Sequence, residues 1–172
     1  LKDCRVLEAQ GNAIKKIPKS IKKLKNLEKL DLSHNKLTSV AALEGRCENL
    51  MTLKLDNNSI ESLELDCSKL THLATFSASQ NPLTAIPEDI GECTMLSFVN
   101  FSDTKITELP SSITSLKKIK ILKMTNAPIA DNKVKKKLQE AEDGDGQALK
   151  SLWKLLEKNS GGGGKKKGKK GK

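Results

Sequence analysis

Asn12, Asn35, Asn58 and Asn81 stand 23 residues apart, and the aliphatic residues around them move in the same step. A chain repeating at so short an interval is a stack of like turns, each too small to enclose a core and burying its apolar side only against its neighbours. The recurring cassette is L-x-x-L-x-L-x-x-N-x-L, clearest in Leu27, Leu30, Leu32, Asn35 and Leu37. The same step reaches Thr104 and Ala127, giving six cassettes anchored at Cys4, Leu27, Leu50, Leu73, Leu96 and Ile119.

The fourth and sixth residues of each cassette are Leu7/Ala9, Leu30/Leu32, Leu53/Leu55, Phe76/Ala78, Val99/Phe101 and Leu122/Met124. A spacing of two puts each pair on one side of a short strand, and stacked parallel strands make a sheet. The asparagine follows where the chain leaves the strand. Its amide both donates and accepts, so it can satisfy backbone groups that have lost their sheet partners. Thr104 can do part of this and Ala127 cannot, so the sixth cassette reads as the end of the ladder. Pro128, which lacks an N–H, agrees with an ending there. The return segments carry Ile17-Pro18, Ile86-Pro87 and Leu109-Pro110, with Val40 and Leu63 in the other two. Such short returns hold irregular or short helical turns.

Beyond Ile129 the period fails. Asp131 or Asn132 can N-cap a helix carrying Val134 and Leu138. Gly144-Asp145-Gly146 interrupts it, and then Leu149, Leu152, Trp153 and Leu156 form one apolar stripe at helical spacing. The sequence therefore divides into repeats over 1–130, a helical cap over 131–159 that covers the open end of the last repeat, and a Gly/Lys linker over 160–172. Since no polar capping element precedes the first cassette, the chain reads as a fragment of a longer protein.

The four cysteines occupy repeat positions that elsewhere hold Leu or Ile, so they read as small core hydrophobes rather than a disulfide set. No C-x-x-C pair or His-flanked cluster offers a metal site. Unpaired core thiols suit a reducing compartment, the cytoplasm or else the nucleus. An apolar run of about 18 residues is missing, so no membrane span is expected. Of the +10 formal charge, six come from Lys165, Lys166, Lys167, Lys169, Lys170 and Lys172, which leaves +4 for the rest.

Catalysis finds little to use. His34 lies near Asp31 and Asp56 by repeat position, but no nucleophile elbow, phosphate-binding loop or zinc-protease motif is present. No enzyme activity, cofactor or metal is expected of this chain. The outward strand positions are more informative. One column reads Val6, Lys29, Thr52, Thr75, Phe98 and Ile121, and the next Glu8, Asp31, Lys54, Ser77, Asn100 and Lys123. A third reads Gln10, Ser33, Asp56, Ser79, Ser102 and Thr125. These columns are polar and nearly neutral, unlike the basic stripe that a phosphate backbone prefers.

Phe98 beside Ile121 is an exposed apolar pair with a polar rim, the pattern of a protein hot spot. The candidate protein-binding face is thus Lys29, Asp31, Lys54, Asp56, Ser77, Phe98, Asn100, Ile121 and Lys123. The bland alternative for Phe98 and Ile121 is scattered surface hydrophobes. The six tail lysines are candidate contacts for RNA or the ribosome through counterion release, against the alternative of a solvated, solubilising run. A monomer binding a protein partner is the expected state.

The cassette resembles the intracellular 23-residue class of leucine-rich repeats over residues 4–129. That resemblance implies an α/β solenoid: a leucine-rich-repeat horseshoe with a short parallel concave sheet and an irregular, short-helical convex side. The Asn126–Lys133 stretch, Leu149, Leu152, Trp153, Leu156 and the GGGGKKKGKKGK tail resemble the leucine-rich repeat-containing protein 47 family. In that family a linker leads to a domain similar to the B3/B4 editing-type domain of the phenylalanyl-tRNA synthetase beta subunit. The resemblance implies a connection with translation or RNA; the second domain is not in this sequence, so no tRNA-directed role passes to any residue here.

Overall fold

The computed structural model describes residues 3–44, 47–142 and 144–161. Six three-residue strands follow the cassettes: β1 Val6–Glu8, β2 Lys29–Asp31, β3 Thr52–Lys54, β4 Thr75–Ser77, β5 Phe98–Asn100 and β6 Ile121–Lys123. They form one parallel sheet in sequence order. The register is the repeat itself, with Leu7 opposite Leu30, Leu30 opposite Leu53, and so on to Val99 opposite Leu122. A 23-residue turn returns each side chain to its own column, which is why one buried residue per strand stacks without slippage.

The central residue of each strand from Leu30 to Leu122 is almost fully buried, together with Leu32, Leu55, Ala78, Phe101 and Met124. Phe76 and Phe101 meet edge to face, with ring centroids 5.3 Å apart at 84°. That geometry suits the aromatic quadrupole and adds about 1 kcal/mol beyond area burial. Cys47, Cys67 and Cys93 are buried and Cys4 is half-buried, all four as free thiols.

The return segments are short 3-10 turns, at Lys19–Lys23, Ala41–Leu43, Cys67–Lys69, Ile90–Glu92 and Ser111–Ser115. Pro18 and Pro110 sit at the N-caps of the first and last of these, where a missing N–H costs nothing. The turns at Ile90–Glu92 and Ser111–Ser115 approach closely at Gly91, where a Cβ would lie 2.4 Å from the Ser112 carbonyl oxygen. Only glycine fits that approach.

The asparagines do what the strand exit requires. Asn35, Asn58 and Asn81 each accept, at 2.9–3.0 Å, a backbone N–H from 21 residues earlier. Each amide also donates to the carbonyl 26 residues earlier and to two carbonyls of its own turn. Thr104 keeps only a bond to the Phe101 carbonyl, at 2.8 Å. The ladder thins at its C-terminal end.

Two helices close that end. α1 spans Asn132–Ala141, and Asp131 caps it by accepting the N–H groups of Lys133 and Val134. α2 spans Gly146–Gly161, so Ser160, placed in the linker by sequence, sits in the last helical turn. Gly144 turns between the helices at φ +83°. Val134, Leu138, Leu149, Leu152, Trp153 and Leu156 are buried in the same core as the repeats. Glu142, at the end of α1, accepts the Met124 N–H at 3.3 Å and the Thr125 hydroxyl at 2.9 Å. The cap is thereby tied to the chain just beyond β6.

Candidate functional site

Alternation along three-residue strands sends the central residue into the core and the flanking residues outward. The outward residues of β1–β6, with the residue two positions beyond each strand, make three columns across the sheet face. In the first column Phe98 lies in register with Ile121 on the adjacent strand. Both are half-buried, not exposed as the sequence reading expected. Ile121 is covered in part by the α1–α2 turn, since a Cβ on Gly144 would lie 3.6 Å from its Cγ1. The most exposed apolar member of the column is Val6, at 53%.

Charge in the columns is partly spent internally. Lys29 pairs with Glu8 across β1 and β2. That hydrogen bond, and then the charge of Glu8, hold the Lys29 ammonium above its ordinary range. Asp31 accepts the Ser33 N–H at 3.1 Å. Asp56 binds more: one carboxylate oxygen takes the Ser77 hydroxyl, the Ser79 N–H at 2.8 Å and the Ser79 hydroxyl at 2.6 Å. Ser77 is therefore only 5% exposed and belongs to the floor of the face. Asn100 accepts the Ser102 N–H at 3.1 Å through its carbonyl oxygen, leaving its NH2 group outward. Among the described residues neither Lys54 nor Lys123 joins an ion pair.

His34 is not paired with an acid. Its Nδ1 lies 2.8 Å from the Asn57 amide nitrogen, and the two nearby carboxylates are occupied by serine donors. His34 instead belongs to a column the sequence reading missed. Gly11, His34, Asn57, Gln80, Asp103 and Asn126 all adopt left-handed backbone, with φ between 52° and 69°. The composition carried the signal, since glycine, Asn, Asp and His tolerate that region best. This column borders the sheet face, and Asn126 donates along it to Asp103 at 2.7 Å.

A family model described as Leucine Rich repeats (2 copies) matches residues 2–45. No curated protein matches the chain. Among solved structures, the functional domain of InlJ from Listeria monocytogenes, which includes a cysteine ladder, superposes with a TM-score of 0.63. It is 22% identical, over 78% of this chain and 28% of its own. The chain carries the leucine-rich-repeat fold. The internalin InlF from Listeria monocytogenes follows at a TM-score of 0.59 and 20% identity, over 74% of this chain and 36% of its own. A plant peptide hormone receptor, RGFR1, in complex with RGF2, gives 0.51 and 25% identity, over 72% of this chain and 25% of its own. The chain thus spans between 25% and 36% of the length of these structures.

On a leucine-rich-repeat solenoid the parallel sheet is the concave side, and such surfaces are typical sites of protein–protein interaction. The three columns above are that side. The structure brings Lys29, Asp31, Lys54, Asp56, Phe98, Asn100, Ile121 and Lys123 onto one face, with Ser77 beneath them. Lys165, Lys166, Lys167, Lys169, Lys170 and Lys172 lie outside the described residues. Among the described residues no group of three or more His, Cys, Asp or Glu side chains is placed to hold a metal ion. No described helix is long and apolar enough to cross a membrane.

Proposed function

We propose that the chain is a non-catalytic protein-binding module whose concave sheet receives a partner around Phe98 and Ile121. The observation that carries this reading is the apolar pair itself. It lies in register on β5 and β6, half-buried, beside Asn100 and Lys123, which keep hydrogen-bonding capacity to give. An apolar anchor with a polar rim is the arrangement of an interface hot spot. The receptor–RGF2 complex is a solved case in which this fold holds a partner. The test is the affinity of an isolated partner for the chain carrying Phe98→Ala and Ile121→Ala. A loss of at least about 2 kcal/mol is expected with the circular dichroism unchanged. Unchanged affinity sinks the site.

A second reading rests on the tail. Six lysines at its end would attract RNA or ribosomal surface. Deleting residues 161–172 should then lower RNA affinity and flatten its log–log salt slope by up to about 4. A cytoplasmic location, with the nucleus as alternative, is supported by the free core thiols.

A further inference from the structure

We propose that the groove between the last return segment and α2 is a second docking site, which takes an acidic peptide segment of a partner protein with one apolar side chain inserted. The groove encloses about 380 Å³, and Leu116, Ile119, Leu149 and Trp153 form its floor. Lys117, Lys150 and Lys154 stand on its rim, and Glu157 is the one acid lining it. Lys150 and Lys154 are one helical turn apart, so their ammonium groups share an edge of α2. None of the three lysines joins an ion pair among the described residues.

Three cations against one carboxylate call for an anionic occupant. The floor decides which kind. Trp153 is only 9% exposed and is the groove's one aromatic, so no open ring is offered for a nucleobase to stack upon. Half-buried Ile119 and the edges of Leu149 and Trp153 instead suit an aliphatic side chain, with the flanking carboxylates reaching the lysines. This groove shares no residue with the three concave columns, and the inference stands independently of them.

Trp153 is the sole tryptophan and the chain has no tyrosine, so its emission reports on this groove alone. The full chain would be titrated with a blocked hexapeptide, Asp-Glu-Leu-Leu-Glu-Asp. In parallel it would meet the same peptide with Gln and Asn for the acids, and single-stranded oligouridylate. A saturable shift with the acidic peptide only is expected. Lys150→Glu with Lys154→Glu should weaken it at least about tenfold, because like charges then face each other. Both lysines are exposed, and the milder Lys150→Gln with Lys154→Gln guards against misfolding. Phe98→Ala should leave the titration unchanged. No saturable shift with the acidic peptide, or an equal one with the neutral peptide, overturns the proposal. A shift with oligouridylate alone also overturns it and assigns the groove to RNA.

Discussion

The backbone N–H of Leu37 donates to Asn58 Oδ1 at 2.9 Å, across one full turn of the stack. The same side chain donates to the carbonyls of Leu32, at 3.0 Å, and Leu55, at 2.9 Å. One amide therefore satisfies buried groups in two successive turns, so adjacent repeats share their stability instead of adding it separately.

Asn58→Ala would leave several of those groups without partners. Each unsatisfied buried group costs about 1–3 kcal/mol, so a loss of about 3–5 kcal/mol in urea unfolding is expected. Asn12 is exposed and bonds only the Ala9 and Gln10 carbonyls of its own turn, so Asn12→Ala should cost about 1 kcal/mol or less. Conversely, Thr104→Asn restores a full rung and should raise stability by about 1 kcal/mol.

The left-handed column offers a gain without any new contact. Gln80 sits at φ +54°, a region that costs a residue bearing a Cβ about 1–2 kcal/mol. Gln80→Gly should therefore raise the unfolding midpoint, while Gln80→Val should lower it. A midpoint that falls with glycine would deny the strain.

Acid should loosen the cap. The N–H groups of Val134 and Lys133 bond the Asp131 carboxylate and hold its pKa below the ordinary carboxylate value. A depressed pKa contributes stability above the unfolded value, and that contribution is lost as pH falls through the folded one. Helical ellipticity from α1 is thus expected to hold down to about pH 4 and to fray beneath it. Asp131→Asn keeps an N-cap and should remove that acid step. An unchanged acid profile would show that Asp131 does not govern it.

Thiol chemistry should divide the cysteines. The hydrogen bond with Cys93, and then burial, push the Cys67 thiol far up, and burial raises Cys47. A thiolate-seeking aromatic disulfide at neutral pH is expected to react with the half-buried Cys4 quickly and with the other three only on unfolding. Fast labelling of more than one thiol in the native chain would contradict the buried stack.

The repeat made most of the fold legible. Strand positions, inward residues and sheet register all follow from a 23-residue period, because identical turn lengths allow only one stacking. The apolar stripe of α2 was equally readable, since it depends on local spacing, whereas the cap was narrowed only to Asp131 or Asn132 and the structure selects Asp131. The sheet face was less so. Whether Ser77 points outward as a contact or down to Asp56 depends on a carboxylate 21 residues away, which no column count reveals. Ile121 looked exposed because strand alternation cannot show that the turn at Gly144 folds back upon it. The left-handed column was written in the composition, as Gly, His, Asn, Gln, Asp and Asn in step, and went unread because none of them is apolar.

The concave face is tested most directly by a photo-crosslinking residue placed at Asn100, with an identical one at Lys69 on the return side as control. The expected result is one discrete protein adduct from position 100, absent from position 69 and abolished by Phe98→Ala. Equal adducts from both positions, or an Asn100 adduct indifferent to Phe98→Ala, would contradict a partner seated on the sheet.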